Sequence, residues 1–117
     1  MPIVRVARVY EPPADQDGYR LLVDRLWPRG LRRDADRFDE WCKDIAPSTE
    51  LRTWYGHRPD RFAEFSQRYQ QELVDVDHAD ASAHLRALAK KHRTLTLLTA
   101  SKDLDLSHAM VLAAAIR

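Results

Sequence analysis

The sequence predicts an α/β fold: a small, mostly parallel sheet of about three strands packed with four to five helices, a single layer-sandwich domain over residues 1–117. Three observations predict it. Tyr19–Asp24 and Thr94–Thr99 are short runs with apolar centres suited to strands buried on both faces. Between them, apolar residues recur at three- and four-residue steps, the period of helices with one inward face. Strands separated by helical segments favour parallel pairing, because a parallel neighbour is reached only by a crossover.

In chain order, the β-branched Ile3, Val4, Val6 and Val9 predict a first strand at about 3–9, ended by Glu11-Pro12-Pro13. A loop leads to the second strand. Trp27-Pro28-Arg29-Gly30 terminates it, since proline lacks the ladder donor and glycine permits a turn. Asp34 is expected to cap a helix placing Ala35, Phe38, Trp41, Cys42 and Ile45 on one face, stopped by Ala46-Pro47. Ser48 caps a short helix from Thr49 to Tyr55, and Gly56 is its left-handed exit. Pro59 suits the first turn of a longer helix carrying Phe62, Phe65, Tyr69 and Leu73. Another helix is expected from Asp80 to His92, with Ala81, Leu85, Leu88 and Ala89 inward. Thr94–Thr99 is the third strand. Ser107 caps a last helix, apolar on nearly every side and hence buried.

Composition narrows the classes. Hydrophobic residues make up 44% of the chain, enough for a core without disulfides or a structural metal. The net charge of +1 argues against a protein whose main business is coating nucleic acid or an acidic membrane. Cys42 is the sole cysteine, which rules out an internal disulfide and disfavours oxidising compartments. The N-terminus lacks the layout of a signal peptide, and the longest apolar stretch, Ala109–Ile116, falls far short of a bilayer span. The expected location is cytoplasmic. Arginine outnumbers lysine 15 to 4. Either genomic base composition or planar, bidentate recognition of anions explains that bias, and position decides between them.

In an open α/β sheet, ligands bind outside the carboxyl ends of strands. That rule selects two segments, 24–33 and 101–108. The first holds four arginines and Asp24 around the rigid Trp27-Pro28 insert. Arg25 and Arg29 are candidates to clamp a phosphate or carboxylate, with Asp24 orienting a guanidinium or acting as a base. The alternative is an Asp24–arginine ion pair that ties the loop to the sheet. The second segment contributes Ser101, Lys102, Asp103, Ser107 and His108. A helix N-terminus attracts anions and eases a neutral His108, useful as a base or hydrogen-bonding group. The alternative is a plain cap, with His108 packed on the sheet edge. Asp24 and His108 are thus the candidate catalytic residues; Arg25, Arg29, Ser101, Lys102, Asp103 and Ser107 are the candidate ligand-binding ones.

Other features carry less. Cys42 falls on the inward face of its expected helix, which reads as an inert core thiol. The remaining histidines lack metal-site spacing, so no metal site is expected. Asp75, Asp77 and Asp80 lack the glycine and distal glutamate of a calcium loop. No glycine-rich phosphate loop, dinucleotide fingerprint or serine elbow is present, and no cofactor is expected.

The string from Asp17 to Gly30, DGYRLLVDRLWPRG, stands beside Ala46–Arg52, Phe65, Tyr69, Glu72-Leu73 and Leu95–Leu98. Together these resemble the YeaO-like family of bacterial proteins of unknown function, over nearly the whole chain. The resemblance implies a compact cytosolic α/β protein and no particular activity. Thr99-Ala100-Ser101-Lys102 and Ser107 depart from its usual pattern. More distant, longer relatives place cysteine where Thr99 and Ser107 stand, so thiol catalysis is not expected here.

Three functions remain open. The first is binding of an anionic small molecule in an arginine-rich pocket, with acid–base catalysis by Asp24 or His108. The second is a nucleic-acid-binding module using the Arg20–Arg37 segment, disfavoured by the interleaved Asp24, Asp34 and Asp36. The third is a non-catalytic protein-interaction domain. No membrane partner is expected, and the sequence leaves oligomeric state open.

Overall fold

The computed structural model describes residues 3–33 and 37–117. Four strands, β1 (Ile3–Arg8), β2 (Tyr19–Leu22), β3 (Glu40–Trp41) and β4 (Thr94–Thr99), form one sheet in the order β1-β4-β2-β3, every pairing parallel. Among the described residues four α-helices accompany them: α1 (Thr49–Tyr55), α2 (Phe62–Glu72), α3 (Ala79–Lys91) and α4 (His108–Ile116). The α/β class and parallel sheet are as expected. The strand count is four among the described residues rather than about three.

Side chains alternate across a strand, so the sheet sorts its residues onto two faces. One face presents Val4, Leu21, Leu95 and Leu97 to the main core, where helices contribute Phe65, Tyr69, Leu85 and Leu112. The opposite face carries Leu22 and Leu98, paired in register, with Val9. Leu31, Phe38 and Trp41 cover this smaller cluster, so an aromatic loop stands where many α/β folds have a second helical layer. Trp27 joins it edge-on, 5.6 Å from Phe38 and 5.5 Å from Trp41 between ring centroids. Burying a leucine fully contributes about 1.5–3 kcal/mol, so both faces matter to stability.

Beyond Leu22 on that second face lies a buried polar knot. Arg20, in register with Thr96, is only 4% exposed, and it pairs with Asp17. Its Nε donates to the Arg37 carbonyl at 2.8 Å and its Nη2 to that of Glu11 at 3.1 Å. Asp17 also accepts from Arg5 at 3.2 Å and from the Ala14 N–H at 3.1 Å. Arg20 therefore ties the sheet to three loop segments. It is unavailable to any surface patch running from Arg20 to Arg37. Gly18 leads into β2 with φ +63°, and a Cβ there would stand 2.2 Å from the Thr94 carbonyl oxygen. Only glycine allows this close approach.

The expected helix ending at Ile45 is overturned. Asp34 and Ala35 lie outside the described residues. Glu40 and Trp41 are instead an edge strand, and Lys43–Ile45 a single 3-10 turn. The Cys42 N–H donates to the Leu22 carbonyl at 2.8 Å, extending the β2–β3 pairing. Cys42 itself is half-buried against the main core, and burial pushes its thiol up to about 11. It is therefore a poor source of thiolate at neutral pH. The other helices follow the reading closely. Ser48 Oγ accepts from the Leu51 N–H at 3.1 Å, and Gly56 closes α1 with φ +53°. Ser107 caps α4, whose first turn carries His108. No helix among the described residues is long and apolar enough to cross a membrane.

Candidate functional site

Parallel pairing of β2 with β4 brings their carboxyl ends side by side, and the segments leaving them enclose a cavity of about 270 Å³. That is near the small end of ligand sites, room for a metabolite rather than a dinucleotide. Asp24, Arg25 and Arg29 line it from the first segment; Ser101, Ser107 and His108 line it from the second. Lys102 and Asp103 do not line it. Both are exposed, and the Asp103 carboxylate accepts from the Asp105 N–H at 3.2 Å in the turn before α4.

Asp24 anchors the cavity floor to the sheet end. Its Oδ2 accepts from the Ala100 N–H at 2.8 Å, and its carbonyl accepts from Trp41 Nε1 at 2.7 Å. Its Oδ1 lies 3.4 Å from His108 Nε2 and has no protein hydrogen bond of its own. His108 Nε2 donates to the Val23 carbonyl at 3.0 Å, so the ring hydrogen points at the sheet, between two acceptors. Burial lowers the His108 pKa and outweighs the opposing pull of Asp24, which favours the neutral ring at neutral pH. The Tyr69 ring meets it edge-on, with 6.0 Å between centroids.

The Asp24–arginine ion pair offered as the alternative role for this segment is absent among the described residues. Arg25 is anchored, but by backbone oxygens: its Nη2 donates to Ala46 at 3.1 Å and to Pro47 at 3.4 Å. Among the described residues Arg29 is tied to the fold by its main chain, its carbonyl accepting from Tyr10 at 2.6 Å. Ser101 is tied to the fold through its main chain, and the Ser107 side chain serves the backbone of the turn before α4. The Ser101 carbonyl accepts from Arg8 at 3.0 Å, and Ser107 Oγ donates to the Leu104 carbonyl at 2.8 Å.

The other wall comes from the end of α1, which the sequence reading did not place here. Arg52, Tyr55 and His57 line the same cavity. Tyr55 is locked by its hydroxyl, which donates to the Leu106 carbonyl at 2.7 Å, and by stacking on Phe65 at 4.2 Å. A three-residue step puts Arg52 and Tyr55 on one helix face, which is legible. That this face meets residues 24–29 depends on packing between elements far apart in the chain.

Beneath the wall, His78 is buried, with Nδ1 3.0 Å from Asp75 Oδ1 and Nε2 2.9 Å from the Ala46 carbonyl. Both neighbours are acceptors, so only the imidazolium satisfies both. Burial by itself would lower the pKa, but these hydrogen bonds to Ala46 and Asp75 raise it above the usual 6.5. A raised folded-state value means stabilisation that is complete below pH 6.5 and lost as pH rises through the folded value. The stability gap between wild type and His78→Gln is therefore expected to be wider at pH 6 than at pH 8.5 in urea unfolding. An unchanged gap would show that the ring is neutral throughout.

Among the described residues no cluster of three or more His, Cys, Asp or Glu is placed to hold a metal ion. Fold and site together define a small parallel α/β protein with a cavity at its strand ends. The sequence matches the family described as the inactive DUF488-N3 subclade over residues 3–117, and the chain belongs to that family. It is 54% identical over 110 residues to an uncharacterized protein of Mycobacterium tuberculosis, covering 94% of this chain and 90% of that one. It is 44% identical to the uncharacterized protein YeaO of Escherichia coli, covering 94% and 93% respectively. No solved structure matches the chain.

Proposed function

We propose that the cavity binds a small molecule bearing a carboxylate or phosphate, and that binding rather than turnover is its role. One observation carries the reading. Arg29 and Arg52, from separate segments, line one cavity, and their guanidinium groups make no protein hydrogen bond or ion pair among the described residues. Three arginines and the single carboxylate of Asp24 leave that space positively charged. Charge-assisted, bidentate contacts to an acid group are what guanidinium does best. The description of the subclade as inactive favours binding over catalysis. The 3.4 Å approach of Asp24 to His108 favours a second reading, in which that pair moves a proton of the bound molecule.

Thermal-shift measurements against phosphorylated metabolites and carboxylic acids test the first reading. Arg29→Ala and Arg52→Ala are each expected to leave the melting temperature of the free protein nearly unchanged. Each is expected to weaken binding about tenfold or more, the usual worth of a charged hydrogen bond. Should Arg29→Ala unfold the protein, the arginines are scaffold. A catalytic role requires in addition that a bound acid be consumed, and that His108→Gln abolish consumption.

A further inference from the structure

The chemistry of the cavity goes beyond its charge. His108 Nε2 faces two acceptors, the Val23 carbonyl at 3.0 Å and Asp24 Oδ1 at 3.4 Å, so that nitrogen carries the hydrogen. With the ring neutral, Nδ1 holds a lone pair. Nδ1 makes no hydrogen bond to the described residues, and it is not among the buried atoms sealed without a partner. His108 lines the cavity, so this is an acceptor open to a ligand, fixed in tautomer by the sheet behind it. The remaining walls are largely apolar and include the rings of Trp27, Pro28, Pro47 and Tyr55. Ring faces and proline edges suit a planar body.

Resting on the reading of this cavity as an anion site, we infer that its ligand is a small planar aromatic or heteroaromatic acid bearing a second group, a hydroxyl or ring N–H. The acid group meets Arg29 and Arg52, and the second group donates to His108 Nδ1. A sugar phosphate supplies the charge but no planar body. A simple aromatic acid supplies both and leaves the acceptor unused.

Calorimetric titration of the full chain with benzoate, 3- and 4-hydroxybenzoate, 4-methoxybenzoate, succinate and inorganic phosphate separates these terms. One hydroxybenzoate is expected to bind about fivefold tighter than benzoate or 4-methoxybenzoate, the net worth of one neutral hydrogen bond. In His108→Gln, which keeps a donor toward Val23 but loses the ring acceptor, that preference should fall within about twofold while benzoate still binds. Wild-type histidine 15N spectra supply a readout that does not depend on the variant folding. The Nδ1 resonance should move with hydroxybenzoate and stay put with benzoate. Equal binding of the aromatic acids, a preference that survives His108→Gln, or a still Nδ1 resonance overturns the inference. Tighter binding of succinate or phosphate also overturns it while leaving the anion site standing. Failure of every acid to bind overturns both.

Discussion

Arg20→Met is expected to lower stability by about 3–5 kcal/mol, because removing one member of a buried pair strands the other charge. The Arg20 and Asp17 side chains are 5% and 8% exposed, so neither can turn to water for compensation. Methionine keeps the apolar stem and removes only the donors, which isolates the electrostatic loss from a cavity effect. Asp17 would retain Arg5, itself 41% exposed, and the Ala14 N–H. The Glu11 and Arg37 carbonyls would each lose a donor. Urea unfolding at neutral pH is the measurement. Removing both charges together, as in Arg20→Met with Asp17→Asn, should cost less than the sum of the single changes, since the stranded carboxylate is gone. A single-variant loss below about 1 kcal/mol would mean that water reaches Asp17 and that the knot contributes little.

That knot explains part of what was legible in the sequence and what was not. β2 and β4 could be read because an apolar run flanked by turn residues has few other uses, and the Ser48 and Gly56 signals bound α1 without reference to anything distant. The segment 37–46 misled for a physical reason. Phe38, Trp41, Cys42 and Ile45 have helical spacing, yet Phe38 and Trp41 pack on the second face of the sheet while Cys42 and Ile45 reach the main core. A two-residue edge strand followed by one 3-10 turn imitates a helix stripe when only spacing is visible. In the same way the arginines of 20–33 look alike in sequence but divide by burial. Arg20 is internal, Arg25 is held by backbone carbonyls, and Arg29 has its guanidinium free of protein partners among the described residues. The strand-end rule located residues on both sides of the cavity. It overreached at Lys102 and Asp103, where the chain turns outward before α4, and it was silent on Arg52, Tyr55 and His57, which packing alone brings in.

Asp24→Asn probes the junction of scaffold and site. The carboxylate uses one oxygen for the Ala100 N–H at 2.8 Å and sets the other 3.4 Å from the hydrogen-bearing nitrogen of His108. An asparagine has one acceptor and one donor for these two places. The oxygen stays with Ala100, since a backbone N–H at a strand end has no other partner to turn to. The amide nitrogen then confronts His108 Nε2, donor against donor. The ring escapes only by moving its hydrogen to Nδ1, which lets Nε2 accept from the amide but strips the Val23 carbonyl of its partner. A buried acceptor left unsatisfied costs about 1–3 kcal/mol, so the free protein should lose stability in that range, more than an exposed carboxylate would give up. The effect on binding should differ from that of Arg29→Ala. Acid groups still meet Arg29 and Arg52, so benzoate affinity should hold, whereas Nδ1 now donates and the preference for a hydroxyl over a methoxy group should vanish. Histidine 15N spectra of wild type and variant report the tautomer directly. A variant as stable as wild type, with Nε2 still protonated, would show that Asp24 does not set the state of His108.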